Sequence, residues 1–175
     1  MRPVRRDGRG DERATEETNG AVLAIDYGRK RIGLALASME TRLVNPLSIL
    51  ARKNRREDVR RLRELVREHG VKRIVVGLPL RTDGTRGEMA AEAERFAERL
   101  RKQMALPVCM QDERLTTWVA EQLLKQKKRK TSHRDTGHTE KRRKTIGGRN
   151  AVDAIAAAVI LRDYLEQEAA KKEPE

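Results

Sequence analysis

The chain has 175 residues, a length that is typical of one domain with a buried core. Because 37% of the residues are hydrophobic and only 2% are aromatic, aliphatic side chains must build that core. The 40 Lys and Arg residues exceed the 27 Asp and Glu residues, which leaves a formal net charge of +13. Such an excess favours a polyanionic partner, either nucleic acid or an anionic membrane surface.

The sequence argues against a membrane-spanning or secreted protein. The longest apolar run, residues 154–161, is far shorter than the roughly 18 residues that suggest a membrane-spanning helix. The N-terminus lacks the apolar segment of a secretory signal, and the single cysteine, Cys109, excludes an internal disulfide. These features predict a cytoplasmic protein that does not bind a membrane.

In chain order, the first predicted elements are strands. Residues 1–19 are highly charged and almost devoid of apolar side chains, so we expect a disordered tail. Apolar runs at 21–26, 31–38 and 43–50 predict an antiparallel meander, with Gly28 in the tight connection between the first two strands.

Helices and strands alternate along the rest of the chain. Asn54 and Gly70 are expected to cap and end one helix, and Thr85 with Glu88 forms a capping-box pattern. The predicted elements are a helix over 54–70, a strand over 73–80, a helix over 85–104, a strand over 106–111, a helix from Thr116 or Thr117 to 126 and a helix over 150–172. This order predicts an α/β fold in which a mixed five-stranded sheet has an antiparallel hairpin, parallel strands and helices on both faces.

One basic segment interrupts the alternation. Residues 125–144 contain ten Lys and Arg residues, two acids and almost no apolar side chain. We therefore expect a basic mobile loop at about 126–148, within a domain that spans residues 20–170 and is followed by a short tail at 171–175.

Three acids occupy positions where a functional site can form. Asp26 ends the first strand, Glu113 follows the strand at 106–111, and Asp153 lies near the start of the last helix. If the first and fifth strands are parallel neighbours, Asp26 and Glu113 emerge at the edge where open α/β sheets place their sites. A helix that packs across this edge would add Asp153.

A cluster of carboxylates suggests a bound cation, because the acids otherwise repel one another. Mg²⁺ or Mn²⁺ suits such a cluster, since hard cations take oxygen ligands. Two such ions can activate a water and stabilise the leaving oxygen of a phosphodiester. For each acid alone, a turn or helix-capping role is the alternative, and the same applies to Asp112.

Four segments of the chain resemble, in order and spacing, the motifs of the YqgF (RuvX) family: AIDYGRKRIGLALAS, RIVVGLPLRTDGTRGEMA, DERLTTWVAEQLL and NAVDAIAAAVILRDYL. The resemblance covers about residues 21–166. It implies an RNase H-like fold and a nuclease, related to Holliday-junction resolvases, that processes the 5′ end of pre-16S rRNA.

The resemblance also implies roles for individual residues. Asp26, Glu113 and Asp153 match the metal-binding acids of the family. Candidate nucleic-acid contacts lie in the hairpin tip, in two loops near the site and in the basic segment: Arg29, Lys30, Arg31, Arg81, Arg114, Thr116, Thr117, Lys128, Arg129, Lys130, Arg142, Arg143 and Arg149. The N-terminal tail and the long basic segment depart from the family pattern, which leaves the substrate preference open because added cations raise affinity for any nucleic acid.

These features together predict a hydrolase that cleaves RNA with Mg²⁺ or Mn²⁺, with Asp26 as the central ligand and ribosome precursors as partners. A Holliday-junction resolvase on branched DNA is an alternative, and it would normally work as a two-fold dimer. A non-catalytic basic module of the ribosome is another alternative. An actin-like ATPase is disfavoured, because this chain has no room for the second lobe that closes over a nucleotide.

Overall fold

The computed structural model describes residues 20–81, 83–113 and 149–171. This part of the chain contains five strands and three helices: β1 (Ala21–Tyr27), β2 (Arg31–Ser38), β3 (Val44–Ala51), α1 (Arg55–Glu68), β4 (Val71–Leu78), α2 (Glu88–Met104), β5 (Val108–Asp112) and α3 (Arg149–Ala170). Several predicted features lie outside the described residues: the tail at 1–19, the helix from Thr116 or Thr117, the basic loop at 126–148 and the tail from 172 onward.

The strands form one mixed sheet in the order β3-β2-β1-β4-β5. β2 is antiparallel to both β1 and β3, while β4 is parallel to both β1 and β5. The predicted α/β class and mixed five-stranded sheet are therefore confirmed. The condition considered above, that the first and fifth strands are direct neighbours, is not met, because β4 lies between them. Since β1, β4 and β5 are parallel, their carboxyl ends still meet at one edge.

Helices cover both faces of the sheet, as predicted. Leu23 and Ile25 of β1 belong to a core cluster with Phe96 of α2 and with residues of α1. The alternate residue Ala24 belongs to a second cluster with Ile160 of α3, because successive side chains of a strand point to opposite faces. No helix in the described ranges is both long and apolar enough to cross a membrane.

The ends of α1 confirm the signals that the sequence carries. The Asn54 side chain accepts a hydrogen bond of 2.9 Å from the backbone N–H of Glu57, which satisfies one of the free donors of the first turn. Gly70 follows the helix with a φ of +59°, a left-handed conformation that glycine adopts without a steric penalty.

The segment from β4 to α2 differs from the expectation in two ways. The strand predicted over 73–80 ends before Pro79, whose missing N–H would break the sheet ladder. The predicted capping box was wrong, because Gly87 precedes the helix without a side-chain cap. The Thr85 hydroxyl donates instead to the Asp83 carboxylate at 2.6 Å, so a local turn competes successfully with the cap.

Candidate active site

Asp26 lies near the carboxyl end of β1, on the face of the sheet that α3 covers. Its strand neighbours Ile25 and Tyr27 belong to the core cluster of the opposite face. Burial, and then the charge of the nearby Asp153 carboxylate, raises the pKa of Asp26 to about 6. The environment therefore disfavours the ionised form of this acid.

Glu113 follows β5 and places its side chain over β4. Its backbone N–H donates to the carbonyl of Leu78 at 3.1 Å, which fixes the chain just beyond the strand. The pKa of Glu113 is raised to about 8, mainly by burial and to a smaller extent by the nearby carboxylates of Asp26 and Asp112. The Glu113 Oε1 atom is buried and accepts no hydrogen bond from any residue that the structure describes.

Asp153 lies in α3, where it packs against β2. Arg31 Nε lies 2.9 Å from Asp153 Oδ2, but this buried oxygen accepts no aligned hydrogen bond from the described residues. Arg31 therefore contributes charge to this acid rather than a well-directed hydrogen bond. The first turn of α3 contains no acid, so a role for Asp153 as a simple partner of the helix dipole is disfavoured.

Two glycines make room for this cluster. Gly33 of β2 pairs with Asp26, and Gly77 of β4 follows Val76, which pairs with Ile25 on the other side of β1. A Cβ atom at Gly77 would overlap Glu113 Oε1, and a Cβ atom at Gly33 would overlap the backbone oxygen of Asp153. The glycines therefore allow one side chain and one helix backbone to approach Asp26 closely.

The three acids form an electrostatically coupled set centred on Asp26. Asp153 raises the pKa of Asp26, and Asp26 raises the pKa of Glu113. Within residues 20–81, 83–113 and 149–171, no three or more His, Cys, Asp or Glu side chains form a group that could hold a metal ion by itself. A hard divalent cation does not require such a closed cage, because water and substrate phosphate supply further oxygen ligands. Glu113 Oε1 and Asp153 Oδ2 are buried oxygens that accept no hydrogen bond from the described residues, although Arg31 lies beside the second, and such oxygens are ligands that suit a hard cation.

A comparison with protein families identifies the family to which the chain belongs. The family model described as "RuvX: Holliday junction resolvase" matches residues 20–167. The chain belongs to the RuvX family. The similarity predicted from the four motifs is thereby confirmed, and the matched range includes Asp26, Glu113 and Asp153.

Two relatives illustrate the RuvX family match. A protein of Thermosynechococcus vestitus is 37% identical over 146 residues, which cover 83% of this chain and 87% of that protein. A protein of Syntrophus aciditrophicus is 38% identical over 153 residues, which cover 87% of this chain and 93% of that protein. Both carry the name "Putative pre-16S rRNA nuclease".

A solved structure of T. thermophilus RuvC in complex with a Holliday junction substrate also resembles the RuvX-family chain. The two are 16% identical, and the match covers 86% of this chain and 97% of that chain with a TM-score of 0.49.

The predicted nucleic-acid contacts of this RuvX-family protein fall into two groups among the described residues. Lys30 is exposed at the tip of the β1–β2 hairpin, Arg31 lies beside the carboxylates, and Arg81 is exposed in the loop after β4. Arg29 extends to the other face, where its guanidinium donates to Glu92 of α2 at 2.7 Å. Of these four residues, Arg31 contacts one of the three acids, whereas Arg29 pairs with an acid of the opposite face.

The other predicted contacts lie beyond the description. Arg149 is the first residue of α3, and its side chain is outside the described structure. The remaining predicted residues lie outside the described ranges: Arg114, Thr116, Thr117, Lys128, Arg129, Lys130, Arg142 and Arg143.

Sequence reasoning missed the role of Gly33 and Gly77 in the RuvX-family site. Both glycines interrupt apolar strand runs, RIGLALAS and RIVVGLPL. A glycine inside a strand often marks the close approach of another group, so a signal was present. Only the structure identifies the approaching groups as Asp153 and Glu113.

Proposed function

We propose that this RuvX-family protein is a divalent-metal-dependent nuclease that hydrolyses phosphodiester bonds of RNA in the precursor of 16S rRNA. The observation that carries the proposal is the coupled set of Asp26, Glu113 and Asp153 at the carboxyl edge of the sheet. The names of the relatives support this substrate, and the net charge of +13 supports a polyanion of some kind.

The three acids would hold a pair of Mg²⁺ or Mn²⁺ ions, with Asp26 as the central acid because it is electrostatically coupled to both other acids. When bound, such ions lower the pKa of a water and stabilise the leaving oxygen of a phosphodiester. Lys30 and Arg81, both exposed at this edge, bind and orient the phosphate oxygens of the substrate. The burial of the carboxylates strengthens their interaction with any cation, because the local dielectric constant is low.

The decisive experiment gives the full-length protein a labelled RNA that spans the 5′ end of the 16S rRNA precursor. We expect cleavage with Mg²⁺ or Mn²⁺, no cleavage in chelator, and a loss of about 10³-fold or more in Asp26→Asn and Glu113→Gln, because metal ligation supplies several kcal/mol to the transition state. Asp163→Asn is the matched control, since Asp163 lies on α3 outside the coupled set. Cleavage that persists in chelator or in Asp26→Asn would overturn the metal mechanism.

The description of the family model favours a second candidate, the cleavage of a four-way DNA junction. The same protein should be given a labelled junction and a linear duplex of the same arms. Selective cutting of the junction in preference to the RNA would favour this candidate, and a two-fold dimer would be expected to make the paired cuts. Binding of both substrates without cleavage under any metal condition would favour a non-catalytic basic module.

A further inference from the structure

A second charged feature lies on the face of the sheet opposite the carboxylates. The β1–β2 turn, the end of β3, the start of α1 and one side of α2 line a cavity of about 420 Å³. Glu92 is the single acid among its described lining residues. We name this cavity the arginine pocket because five arginines line it: Arg29, Arg52, Arg55, Arg95 and Arg99.

Tyr27, the residue that follows Asp26, lies at the bottom of the arginine pocket. Tyr27 faces away from the carboxylates, and its ring centroid lies 4.9 Å from that of Phe96. The Arg52 guanidinium carbon lies 4.8 Å from the centroid of the Tyr27 ring, a cation–π contact. The active site and the arginine pocket therefore lie on opposite faces of one strand end, with Lys30 at the hairpin tip between them.

Two of the pocket guanidinium groups are fixed by protein groups. Arg52 Nε donates to Asp58 Oδ2 at 2.9 Å, and Arg52 Nη1 donates to the carbonyl of Gly28 at 3.0 Å. Asp58 is only 1% exposed, so this pair is part of the folded framework. Arg29 Nη2 donates to Glu92 Oε1 at 2.7 Å. These contacts hold the wall of the pocket in place before any ligand arrives.

The charges of the other three guanidinium groups are not neutralised by an ion pair within the described residues. Arg55, Arg95 and Arg99 form no ion pair with an acid in the described part of the chain. Arg29, and then Arg95, lowers the pKa of Glu92, so this one acid is shared among several arginines. A guanidinium group cannot lose its proton to relieve repulsion at physiological pH. The excess charge of the pocket is therefore open to an anion from outside.

We propose that the arginine pocket binds phosphate groups of the nucleic-acid strand whose scissile phosphate lies at Asp26, an inference that rests on the proposed function. In this binding mode the nucleic-acid strand would cross the β1–β2 turn, where Lys30 is exposed, from one face of the sheet to the other. Guanidinium groups suit phosphate oxygens because they donate two parallel hydrogen bonds. Tyr27 is only 7% exposed and lies under Arg52, so the pocket offers no free ring for base stacking among its described lining residues. Binding is therefore independent of base sequence.

The test compares two double variants of the full-length protein. Arg95→Gln with Arg99→Gln alters the pocket, while Arg67→Gln with Arg162→Gln removes two cations elsewhere on helices α1 and α3. Both lower the net charge by two, and glutamine retains a helix propensity close to that of arginine. Arg52 is left intact because its loss would leave Asp58 buried without its partner.

The measured quantity is the affinity for a labelled single-stranded RNA, by fluorescence anisotropy in chelator at several salt concentrations. The pocket variant should bind about tenfold more weakly or worse, since two charge-assisted hydrogen bonds are lost. The slope of log affinity against log salt should fall by about 0.7 for each phosphate contact removed. The control variant should differ little from the wild type. Equal losses in both variants, or an unchanged slope in the pocket variant, would overturn the proposal.

A second arm separates the nucleic acid from a small phosphate compound as the source of the phosphate. Pyrophosphate is titrated against both variants while the thermal unfolding midpoint is measured. Stabilisation of the wild type that the pocket variant lacks, combined with unchanged RNA affinity in that variant, would overturn the assignment to a nucleic-acid strand. If the pocket variant binds RNA more weakly than the wild type, but the wild type does not cleave RNA with any metal, the arginine pocket is supported and the proposed nuclease function is rejected. The failure of one proposal is therefore distinguishable from the failure of the other.

Discussion

At the β1–β2 hairpin, one face of the sheet gathers carboxylates and the other gathers guanidinium groups. Asp26 and Glu113 are carboxylates with pKa values raised to about 6 and 8, so they can take up protons near neutral pH. The guanidinium groups of the arginine pocket stay charged over the same range. We therefore expect the first cluster to respond to pH and cations, and the second to respond to anions and salt.

The two clusters also differ in how tightly they are built. The carboxylates lie against backbone and glycine, where Gly77 leaves no space for a methyl group beside Glu113. The arginine pocket is lined by long side chains, and Arg95 is exposed. Changes at the carboxylates should therefore have larger effects than changes at the arginines.

The largest expected effect separates chemistry from binding. Asp26→Asn should reduce metal-dependent RNA cleavage by about 10³-fold or more. In chelator, the same variant should bind RNA at least as tightly as the wild type, because it removes a negative charge and leaves the arginine pocket unchanged. Anisotropy and single-turnover cleavage on one preparation measure both quantities. A loss of RNA affinity in chelator as large as that of the pocket variant would show that the two faces do not act separately.

The next prediction uses the pH dependence of stability without metal. Glu113 has an ordinary pKa of 4.5, which rises to about 8 in the folded protein. Because folding raises this pKa, the folded state loses stability as the pH rises above 4.5, and the loss is complete above about 8. Asp26 adds a loss between 3.8 and about 6. One pKa unit corresponds to about 1.4 kcal/mol, so the combined loss is on the order of 8 kcal/mol, of which Glu113 contributes the larger part.

Glu113→Gln isolates this contribution, because glutamine does not titrate. In chelator, the variant should gain stability relative to the wild type as the pH rises from 4 to 8. At pH 8, Mg²⁺ or Mn²⁺ should stabilise the wild type by binding its folded state, so that the wild type recovers much of the stability that it lacks relative to Glu113→Gln. Denaturant midpoints across this pH range provide the measurement. A constant difference between the two proteins at every pH would contradict the raised pKa.

Local signals in the sequence were enough for part of this architecture. Asn54 and Gly70 bound α1 as predicted, because caps depend on neighbouring residues. The three acids were selected as candidates because the sequence placed each one near the end of a predicted strand or the start of a predicted helix. The insertion of β4 between β1 and β5 was missed, since strand order depends on contacts between distant segments. The arginine pocket was missed for the same reason: Arg29 pairs with Glu92, which is 63 residues away.

A smaller effect is expected from the glycines. Gly77→Ala forces Glu113 to move, and a displacement of about 1 Å in an active site can cost about 10²-fold in rate. Gly33→Ala obstructs the backbone of Asp153 instead, so α3 must shift and stability should fall by about 1–3 kcal/mol. Cleavage rates and denaturant midpoints distinguish the two. If Gly77→Ala cleaves RNA at the wild-type rate, close packing around Glu113 is not required for function.

The smallest effects should come from the exposed ion pair that borders the arginine pocket. Arg29 is 53% exposed and pairs with Glu92, so Arg29→Gln should not measurably move the denaturation midpoint. It should weaken RNA binding in chelator only two- to threefold, roughly, because Glu92 already neutralises much of its charge.

Glu92→Gln provides the opposite change at the same place. It removes the one acid among the described lining residues of the arginine pocket, so affinity for RNA should rise and the salt dependence should steepen. The same anisotropy titrations measure both variants. A weaker affinity in Glu92→Gln would mean that this acid positions Arg29 for the ligand rather than competing with it. The pocket would then resemble the carboxylate cluster, in that its function would depend on one fixed arrangement of side chains rather than on accumulated charge.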